Sequence, residues 1–265
     1  VASDYSEDLK IDNQNISYQI DSYRKIRNTL RFLLGNLNNF NKEDLIKPEQ
    51  MPGLERYLLT RISCLNETLK DLVSKHDYHT IYTSLLNFCT LELSAFYFDI
   101  RKDCLYCDNI KSLKRRSALS CLHFTFEFLT KWLSPIVSFT CEEAWNLRSY
   151  DNKESILLQN ILEDEFNYND PSLEKIFNEL KSLRKIVTSA LELKRNEKLI
   201  GSSLQAKVIL YLSKDTKAII KDLDLAEMFI VSSVEIQDIS NKSKESINFE
   251  DEEIYLEIKI ADGKK

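Results

Sequence analysis

The chain has 265 residues, of which 43% are hydrophobic and 29% are charged, and its formal net charge is −6. It contains only four glycines and four prolines, which disfavours an all-β sandwich, a collagen-like chain and a Gly-rich phosphate-loop enzyme, and favours long helices. Residues 1–150 hold 19 basic and 19 acidic residues, whereas residues 151–265 hold 17 basic and 23 acidic residues. A globally basic nucleic-acid-binding protein is therefore excluded, and a polyanion would have to meet a local patch.

The start of the chain and its cysteines indicate a cellular compartment. No apolar run approaches the roughly 20 residues that span a bilayer, and the acidic start, which lacks an initiator Met, is unlike a secretory signal. Four cysteines lie inside apolar helical patterns, as small buried residues of a reducing cytosol do: Cys64, Cys89, Cys121 and Cys141. We therefore expect a fragment of a longer cytoplasmic protein that makes no membrane contact.

Five helices are predicted in the first 150 residues. Apolar residues at three- and four-residue spacing mark helices over 13–37, 54–75, 78–99 and 112–133. The first of these carries the stripe Ile16, Ile20, Tyr23, Ile26, Leu30, Leu33, Leu34 and Leu37. Pro135 interrupts the pattern, and a short fifth helix follows, with Thr140 as its cap and Glu142 and Glu143 in its first turn. Short connections between these helices predict an antiparallel bundle over 1–150.

The pattern changes in the second part of the chain. The polar and acidic segment 151–171 is predicted to be a linker, and a long helix is predicted over 172–197. Segments 206–212, 228–236 and 254–260 are rich in Val, Ile and Tyr and are predicted strands, with a short helix over 215–227 and a charged hairpin loop over 241–252. The predicted fold class is mainly α, with the helix bundle followed by a small α+β module over 172–265.

Motifs for covalent chemistry are absent from the sequence. No spacing typical of zinc proteases, serine hydrolases, phosphate loops or dinucleotide-binding turns occurs. Cys104 and Cys107 form a CxxC motif, but a zinc site needs four ligands and no second pair is present. The helix dipole accounts for the acidic pair Glu142–Glu143. We therefore predict no catalytic residue and no metal site in this chain.

The strongest electrostatic feature lies on the first helix. Four cations fall within eight residues without an intervening acid: Arg24, Lys25, Arg27 and Arg31. At about 100° per residue, three of them and Asn28 cluster within about a third of the helix circumference, roughly 130° from the apolar stripe. Arginine forks and a carboxamide suit phosphate oxygens and unstacked bases. The alternative is a solvated face whose arginines pair with carboxylates of the bundle.

A second basic cluster opens the fourth helix. It consists of Lys111, Lys114, Arg115 and Arg116. Cations are unfavourable at a helix N-terminus because they oppose the helix dipole. Their presence there hints at another use, such as contact with phosphate.

Several strings resemble one known family. They are 4–10, 23–37, 53–61, 93–106, 115–118, 134–145 and 191–206. Together they resemble the anticodon-binding region of bacterial isoleucyl-tRNA synthetases, which are class I aminoacyl-tRNA synthetases. The string Ser134-Pro-Ile-Val-Ser-Phe-Thr-Cys-Glu-Glu-Ala-Trp145 is shared with valyl, leucyl and methionyl relatives, whereas Lys102-Asp-Cys-Leu-Tyr106 and Ile200-Gly-Ser-Ser-Leu204 favour the isoleucyl enzyme. Cys104 stands where the family usually has Arg, so the CxxC motif is interpreted as incidental.

The resemblance implies a function. It implies binding of the anticodon stem and loop of isoleucine tRNA, as part of an ATP-dependent ligase that joins isoleucine to that tRNA. The family's ATP-binding signatures, editing domain and metal-binding cysteines do not occur in this sequence, which ends about where the family's zinc module would begin. We therefore expect ATP and zinc to belong to the full-length enzyme, and this fragment to be a monomer that holds no cofactor and is inactive alone.

The candidate tRNA-binding residues fall into two groups. The first group is Arg24, Arg27, Asn28 and Arg31, and the second group, chosen by charge and location, is Lys25, Lys102, Arg115 and Arg116. Two alternatives stay open. One is a helical interaction module that docks an acidic protein and has no RNA role, and the other is the corresponding domain of a valyl or leucyl enzyme.

Overall fold

The structure, a computed structural model, describes residues 2–3, 8, 11–148, 154–161, 168–242, 246–248 and 254–261. The chain divides into two compact units, Val1–Asp170 and Pro171–Lys265. The predicted fold class is confirmed, because the first unit is helical and the second combines helices with a small sheet. All but one residue of the string 4–10, which contributed to the family resemblance, lie outside the described residues.

Helices build the first unit. In chain order they are α1 (Asn13–Leu37), α2 (Gly53–Ser74), α3 (Tyr78–Asn87), a π-helix (Phe88–Phe98), α4 (Asp99–Cys107), α5 (Leu113–Leu133) and α6 (Ser138–Asn146). Aspartate and serine side chains cap three of them, since Asp12, Asp77 and Ser112 accept hydrogen bonds from the backbone N–H groups at the starts of α1, α3 and α5. The local capping chemistry therefore fixes where these helices begin.

The helices α1 and α5 run antiparallel. The Tyr23 and Thr140 hydroxyl oxygens lie 2.9 Å apart, which joins the first half of α1 to the segment after α5. Just past the other end of α1, Phe40 stacks on His123 at the middle of α5, with ring centroids 5.2 Å apart. The bundle core therefore lies between these helices, and the buried His123 is a packing residue.

One long helical segment runs through the bundle from residue 78 to residue 107. The sequence predicts its end near 99, but α4 continues it to Cys107. Its middle third is a π-helix, in which N–H groups bond to carbonyls five residues back. The side chains of Leu85, Leu93 and Tyr97 are fully buried, so this segment is central to the bundle.

Three local predictions in the first unit are wrong. Helix α6 begins at Ser138 without a side-chain cap, so Thr140 lies inside it and bonds to Tyr23, and neither glutamate of the acidic pair is in its first turn. Cys64 is exposed, whereas Cys89, Cys121 and Cys141 are buried as predicted. The first part of the α1 stripe is also open to solvent, with Ile16 49% and Ile20 45% exposed.

Part of the segment predicted as a linker packs on the bundle. The side chain of Ile156 is fully buried, and its backbone N–H donates to the Glu142 carboxylate at 3.0 Å. The Ser155 hydroxyl donates to the same oxygen at 2.9 Å, and these contacts lower the pKa of Glu142, the serine hydrogen bond most of all. The described part of the segment is therefore anchored through a residue of α6. Residues 151–153 and 162–167 lie outside the described residues.

The second unit is an α+β module. The long helix α7 (Pro171–Asn196) precedes β1 (Ala206–Leu212), α8 (Lys214–Ile220), α9 (Leu225–Phe229), β2 (Ser233–Asp238), β3 (Ile247–Asn248) and β4 (Tyr255–Ile260). The sheet order is β2-β1-β4-β3, with β1 parallel to β2 and antiparallel to β4. The parallel pair requires a crossover, which α8 and α9 supply.

Two predictions in the second unit need correction. The predicted strand 228–236 starts too early, because Met228 and Phe229 complete α9 and Ile230, with a φ of 56°, ends that helix in the left-handed conformation. The predicted helix over 215–227 is two short helices instead. Within the predicted loop 241–252, Ile247 and Asn248 pair with β4, and residues 243–245 and 249–252 lie outside the described residues.

Candidate nucleic-acid interface

The predicted cationic face of α1 lies on the solvent side of the bundle. Helix α1 buries the opposite face, formed by Ser22, Ile26, Thr29, Leu30, Leu33 and Leu37. The five predicted binding residues are all exposed, namely Arg24, Lys25, Arg27, Asn28 and Arg31. We call these five residues the α1 surface. Because the helix turns about 100° per residue, burial of one face directs these side chains into water.

Carboxylates contact the α1 surface without neutralising it. Arg24 pairs with Asp21 one turn earlier on the same helix, at 3.2 Å. Arg27 lies 3.9 Å from Glu143 on α6. The arginine side chains are 69% and 49% exposed, and solvated pairs of this kind stabilise a protein by only about 0–1 kcal/mol. A phosphate group can therefore replace these carboxylates at little cost in stability.

A groove separates the α1 surface from α6. It has a volume of about 450 Å³, and its lining includes Arg27 and Arg31 of α1 and Glu143 of α6. Leu30, Leu34, Ala144 and Leu147 supply apolar contacts in the same groove. We call it the α1–α6 groove. Its lining combines two guanidinium groups, which can bind phosphate, with an apolar surface on which a base or ribose can lie.

A second groove lies between α1 and α4. It has a volume of about 430 Å³ and brings Asn28 together with Lys102, Phe32, Phe98 and Tyr106. We call it the α1–α4 groove. The rings of Phe32 and Phe98 stack with centroids 4.2 Å apart, and the exposed Lys102 ammonium group pairs with Asp99 at 2.9 Å. An amide, a cation and the exposed ring of Tyr106 are thus presented together, which suits an unstacked base and its phosphate.

The other two candidates lie elsewhere on the bundle. Arg115 donates to the backbone carbonyl of Asp108 at 2.8 Å, and Arg116 donates to the carbonyl of Asp44 at 3.3 Å. Because α1 and α5 run antiparallel, these arginines lie toward the far end of α1. In the described part of the chain, neither the α1–α6 groove nor the α1–α4 groove includes Arg115 or Arg116 in its lining.

A buried ion pair joins α4, one of the two helices beside the α1–α4 groove, to α2. Arg101 on α4 donates through Nε and Nη2 to the two carboxylate oxygens of Glu55 on α2, at 2.6 and 2.9 Å. The Tyr97 hydroxyl donates to the same carboxylate at 3.1 Å, and burial raises the pKa of Tyr97 well above its usual value. No local sequence pattern predicts this pair. Its only signal is one acid and one arginine at positions that fall on the buried faces of two helices.

The histidines and cysteines show no arrangement for catalysis or metal binding. Among the described residues, no group of three or more His, Cys, Asp or Glu side chains could hold a metal ion. All six cysteines are free thiols. Burial raises the pKa of Cys104 to about 12, so at neutral pH it is a protonated packing residue. None of the helices in the described part of the chain has the length and hydropathy that a membrane span requires.

Comparison with known proteins shows the class of protein. Residues 55–210 match the family model described as the anticodon-binding domain of tRNA ligase, and the chain belongs to this family. It is 46% identical to the isoleucine–tRNA ligase of Pelagibacter ubique, over 88% of this chain and 26% of that protein. The corresponding protein of Gluconobacter oxydans is 40% identical, over 89% of this chain and 24% of its own length.

A third relative extends the comparison to α1, which precedes the family match. The isoleucine–tRNA ligase of Agrobacterium fabrum is 38% identical over 100% of this chain and 27% of its own length. The chain therefore spans about a quarter of the length of the curated relatives it matches.

Proposed function

We propose that this chain binds the anticodon stem and loop of isoleucine tRNA as part of an isoleucine–tRNA ligase. The observation that carries the proposal is the exposed α1 surface, flanked by the α1–α6 groove and the α1–α4 groove on a bundle of the anticodon-binding family. The names of the relatives support the choice of isoleucine tRNA. The ligase reaction joins isoleucine to its tRNA with ATP, and the ATP, editing and zinc sites then belong to other parts of the parent protein.

The α1 surface supplies phosphate contacts in this proposal. Arg24, Arg27 and Arg31 present planar forks that donate two parallel hydrogen bonds to phosphate oxygens, and Lys25 adds a point charge. Their carboxylate partners are solvated, so exchange of carboxylate for phosphate costs little. Each contact releases a counterion from the RNA, which makes the affinity depend on salt. These contacts position the stem and loop but carry no sequence information.

The grooves supply base contacts. Asn28 offers both a donor and an acceptor, and Lys102 in the same groove offers a cation beside the stacked rings of Phe32 and Phe98. Sequence-specific RNA recognition uses unstacked loop bases, which hydrogen-bond at their edges and stack on aromatic side chains. The α1–α4 groove provides both kinds of contact, so we assign it to a loop base, with Lys102 on the phosphate of that base, and we assign the α1 surface to the adjoining backbone.

Paired substitutions on α1 and α2 test the proposal. Fluorescently labelled isoleucine tRNA is titrated at low and moderate salt with the native chain and with Arg24→Ala plus Arg27→Ala. We expect the double variant to bind about 10- to 100-fold more weakly and to show a salt slope lower by about 0.7–0.9 per lost phosphate contact. The matched control, Lys70→Ala on α2 plus Lys75→Ala just past its end, removes the same charge and should change the affinity less than about twofold. Unchanged affinity and slope for the α1 variant would refute the assignment.

Comparison of tRNAs tests the choice of isoleucine. Valine and leucine tRNAs are titrated under the same conditions, and we expect weaker binding because their loop bases differ. Equal or tighter binding of either tRNA would instead support the domain of a valyl or leucyl enzyme. An acidic protein partner, bound in place of any tRNA, would support the helical interaction module.

The compartment and the oligomeric state belong to the same proposal. We propose that the chain works as a monomer in the cytoplasm. Four of the six cysteines are buried free thiols, which supports a reducing environment. Light scattering of the purified chain measures its mass, and a dimer would contradict the monomer.

A further inference from the structure

A buried ion pair joins α2 to α4 just after the π-helix ends. The Glu55 and Arg101 side chains are 0% and 2% exposed, and two N–H groups of Arg101 bond to the Glu55 carboxylate at 2.6 and 2.9 Å. Transfer of two charges out of water is costly, so replacement of such a pair by apolar residues of similar size often leaves stability unchanged. Stability alone therefore does not account for the pair, and its best-attested use is to fix the register of packed elements.

The rotation of α4 about its axis has to be fixed by a contact of this kind. Helix α4 continues the π-helix without a break, and each π-type turn takes up more residues than an α-type turn because its N–H groups bond five residues back. The direction in which α4 points its side chains therefore depends on how many preceding residues keep the wider spacing. Arg101 is the third residue of α4, and its two-point contact with Glu55 ties the rotation of α4 to α2.

Lys102 is the residue whose position this contact controls. Successive residues of a helix project about 100° apart, so an inward Arg101 determines the side from which Lys102 emerges. In the structure that side is the α1–α4 groove, which Lys102 lines with Asn28. A rotation of α4 by one residue would remove Lys102 from the groove and leave Arg101 without its partner.

We propose that the Glu55–Arg101 pair is a positioning element that holds Lys102 in the α1–α4 groove for contact with RNA. The inference rests on the proposed function, because the contact that the inference assigns to Lys102 is with a phosphate group of the RNA. Glu55 and Arg101 are buried and do not touch the RNA. Tyr97 takes part as a third member, since its hydroxyl donates to the Glu55 carboxylate at 3.1 Å.

A comparison of Lys102→Ala in two backgrounds tests the inference. The first background is the native chain, and the second is Glu55→Met with Tyr97→Phe and Arg101→Met, which replaces the buried polar groups by apolar ones of similar size. In the native chain we expect Lys102→Ala to weaken the binding of isoleucine tRNA about 3- to 10-fold and to lower the salt slope by about 0.7–0.9. In the apolar background the same substitution should change the affinity less than twofold and leave the slope unchanged. A purely structural pair would give equal effects in both backgrounds, and that result would overturn the inference.

A milder variant tests the inference if the chain with the apolar background does not fold. Arg101→Lys keeps a positive charge next to Glu55 but cannot make the two-point contact. Circular dichroism and a thermal melt establish which background is folded. In the Arg101→Lys background we expect the effect of Lys102→Ala to fall to less than half of its native size. An unchanged effect would overturn the inference.

The inference and the proposed function fail separately. If Lys102→Ala has no effect in the native chain, Lys102 makes no contact to be positioned and the inference is wrong. The proposed function is decided instead by Arg24→Ala plus Arg27→Ala, which lie on α1 and do not contact the ion pair.

Discussion

The guanidinium Nη2 of Arg27 on α1 lies 3.9 Å from the carboxylate Oε2 of Glu143 on α6, and both side chains face solvent. The preceding residue, Glu142, accepts hydrogen bonds from the Ser155 hydroxyl and the Ile156 backbone N–H. Two adjacent glutamates of the Phe-Thr-x-Glu-Glu-x-Trp stretch thus face different environments. Glu142 anchors a following segment, whereas Glu143 lines the α1–α6 groove.

Glu143→Gln is expected to strengthen RNA binding. The carboxylate repels phosphate and competes with it for Arg27, so its neutralisation should lower the Kd for isoleucine tRNA about 2- to 5-fold at low salt. The melting temperature should change little because the ion pair is solvated. Fluorescence titration at two salt concentrations measures the effect. Weaker binding would show instead that Glu143 accepts a hydrogen bond from the RNA.

Glu142→Gln is expected to destabilise the first unit and to change its pH dependence. Hydrogen bonds from Ser155 and Ile156 lower the pKa of Glu142 from its usual 4.5. The folded pKa is the lower one, so the stabilisation is present above pH 4.5 and is lost as the pH falls through the folded pKa. Thermal melts from pH 3 to 7 should show a native advantage over Glu142→Gln that shrinks in this acidic window. A difference that does not depend on pH would contradict the ionised role, and Glu143→Gln is the matched control.

Arg101→Ala is expected to destabilise the first unit strongly. The substitution leaves the Glu55 carboxylate buried without its main partner, which costs about 3–5 kcal/mol. Both tryptophans, Trp132 and Trp145, lie in the first unit, so their fluorescence during urea unfolding reports on this unit. The neighbouring exposed substitution Lys102→Ala should change the free energy of unfolding by less than about 0.5 kcal/mol. Similar effects of the two substitutions would contradict the role of burial.

Tyr106→Ala is expected to weaken RNA binding without changing its salt dependence. The Tyr106 ring is 64% exposed at the α1–α4 groove, and loss of one stacked base costs about 1–3 kcal/mol. No phosphate contact is removed, so the slope of log affinity against log salt should stay at its native value. Leu91→Ala, an exposed apolar substitution on the same long helical segment, serves as the control. A changed slope would show that Tyr106 acts through the phosphate backbone.

Cysteine labelling is expected to divide the six thiols into two classes. Cys64 and Cys107 are exposed and should react with an alkylating reagent in the folded chain at pH 8. The other four are buried, and burial raises the pKa of Cys89 and of Cys141 to about 12, so they should react only after unfolding. Mass spectrometry counts the labels. Early labelling of Cys104 would contradict its buried position beside α5.

Local sequence patterns predicted several elements with their bounds. Helix α1 spans 13–37 and β1 spans 206–212, as the three-to-four-residue and alternating patterns indicate. Periodicity is a property of residues close together in the sequence, so it can be recognised without knowledge of the fold. It does not say what covers an apolar stripe, and for this reason the exposure of Ile16 and Ile20 was not foreseen.

Residue types and their spacing are enough to predict a helix bundle with an α+β module and a cationic face on α1 opposite its core face. The packing of the helices settles which candidates share a groove: Lys102 lies in one with Asn28, whereas Arg115 and Arg116 donate to backbone carbonyls of Asp108 and Asp44. Charge and periodicity are properties of a single helix. Contacts between helices depend instead on their rotation, which here follows from a π-helix and a buried ion pair that no local pattern specifies.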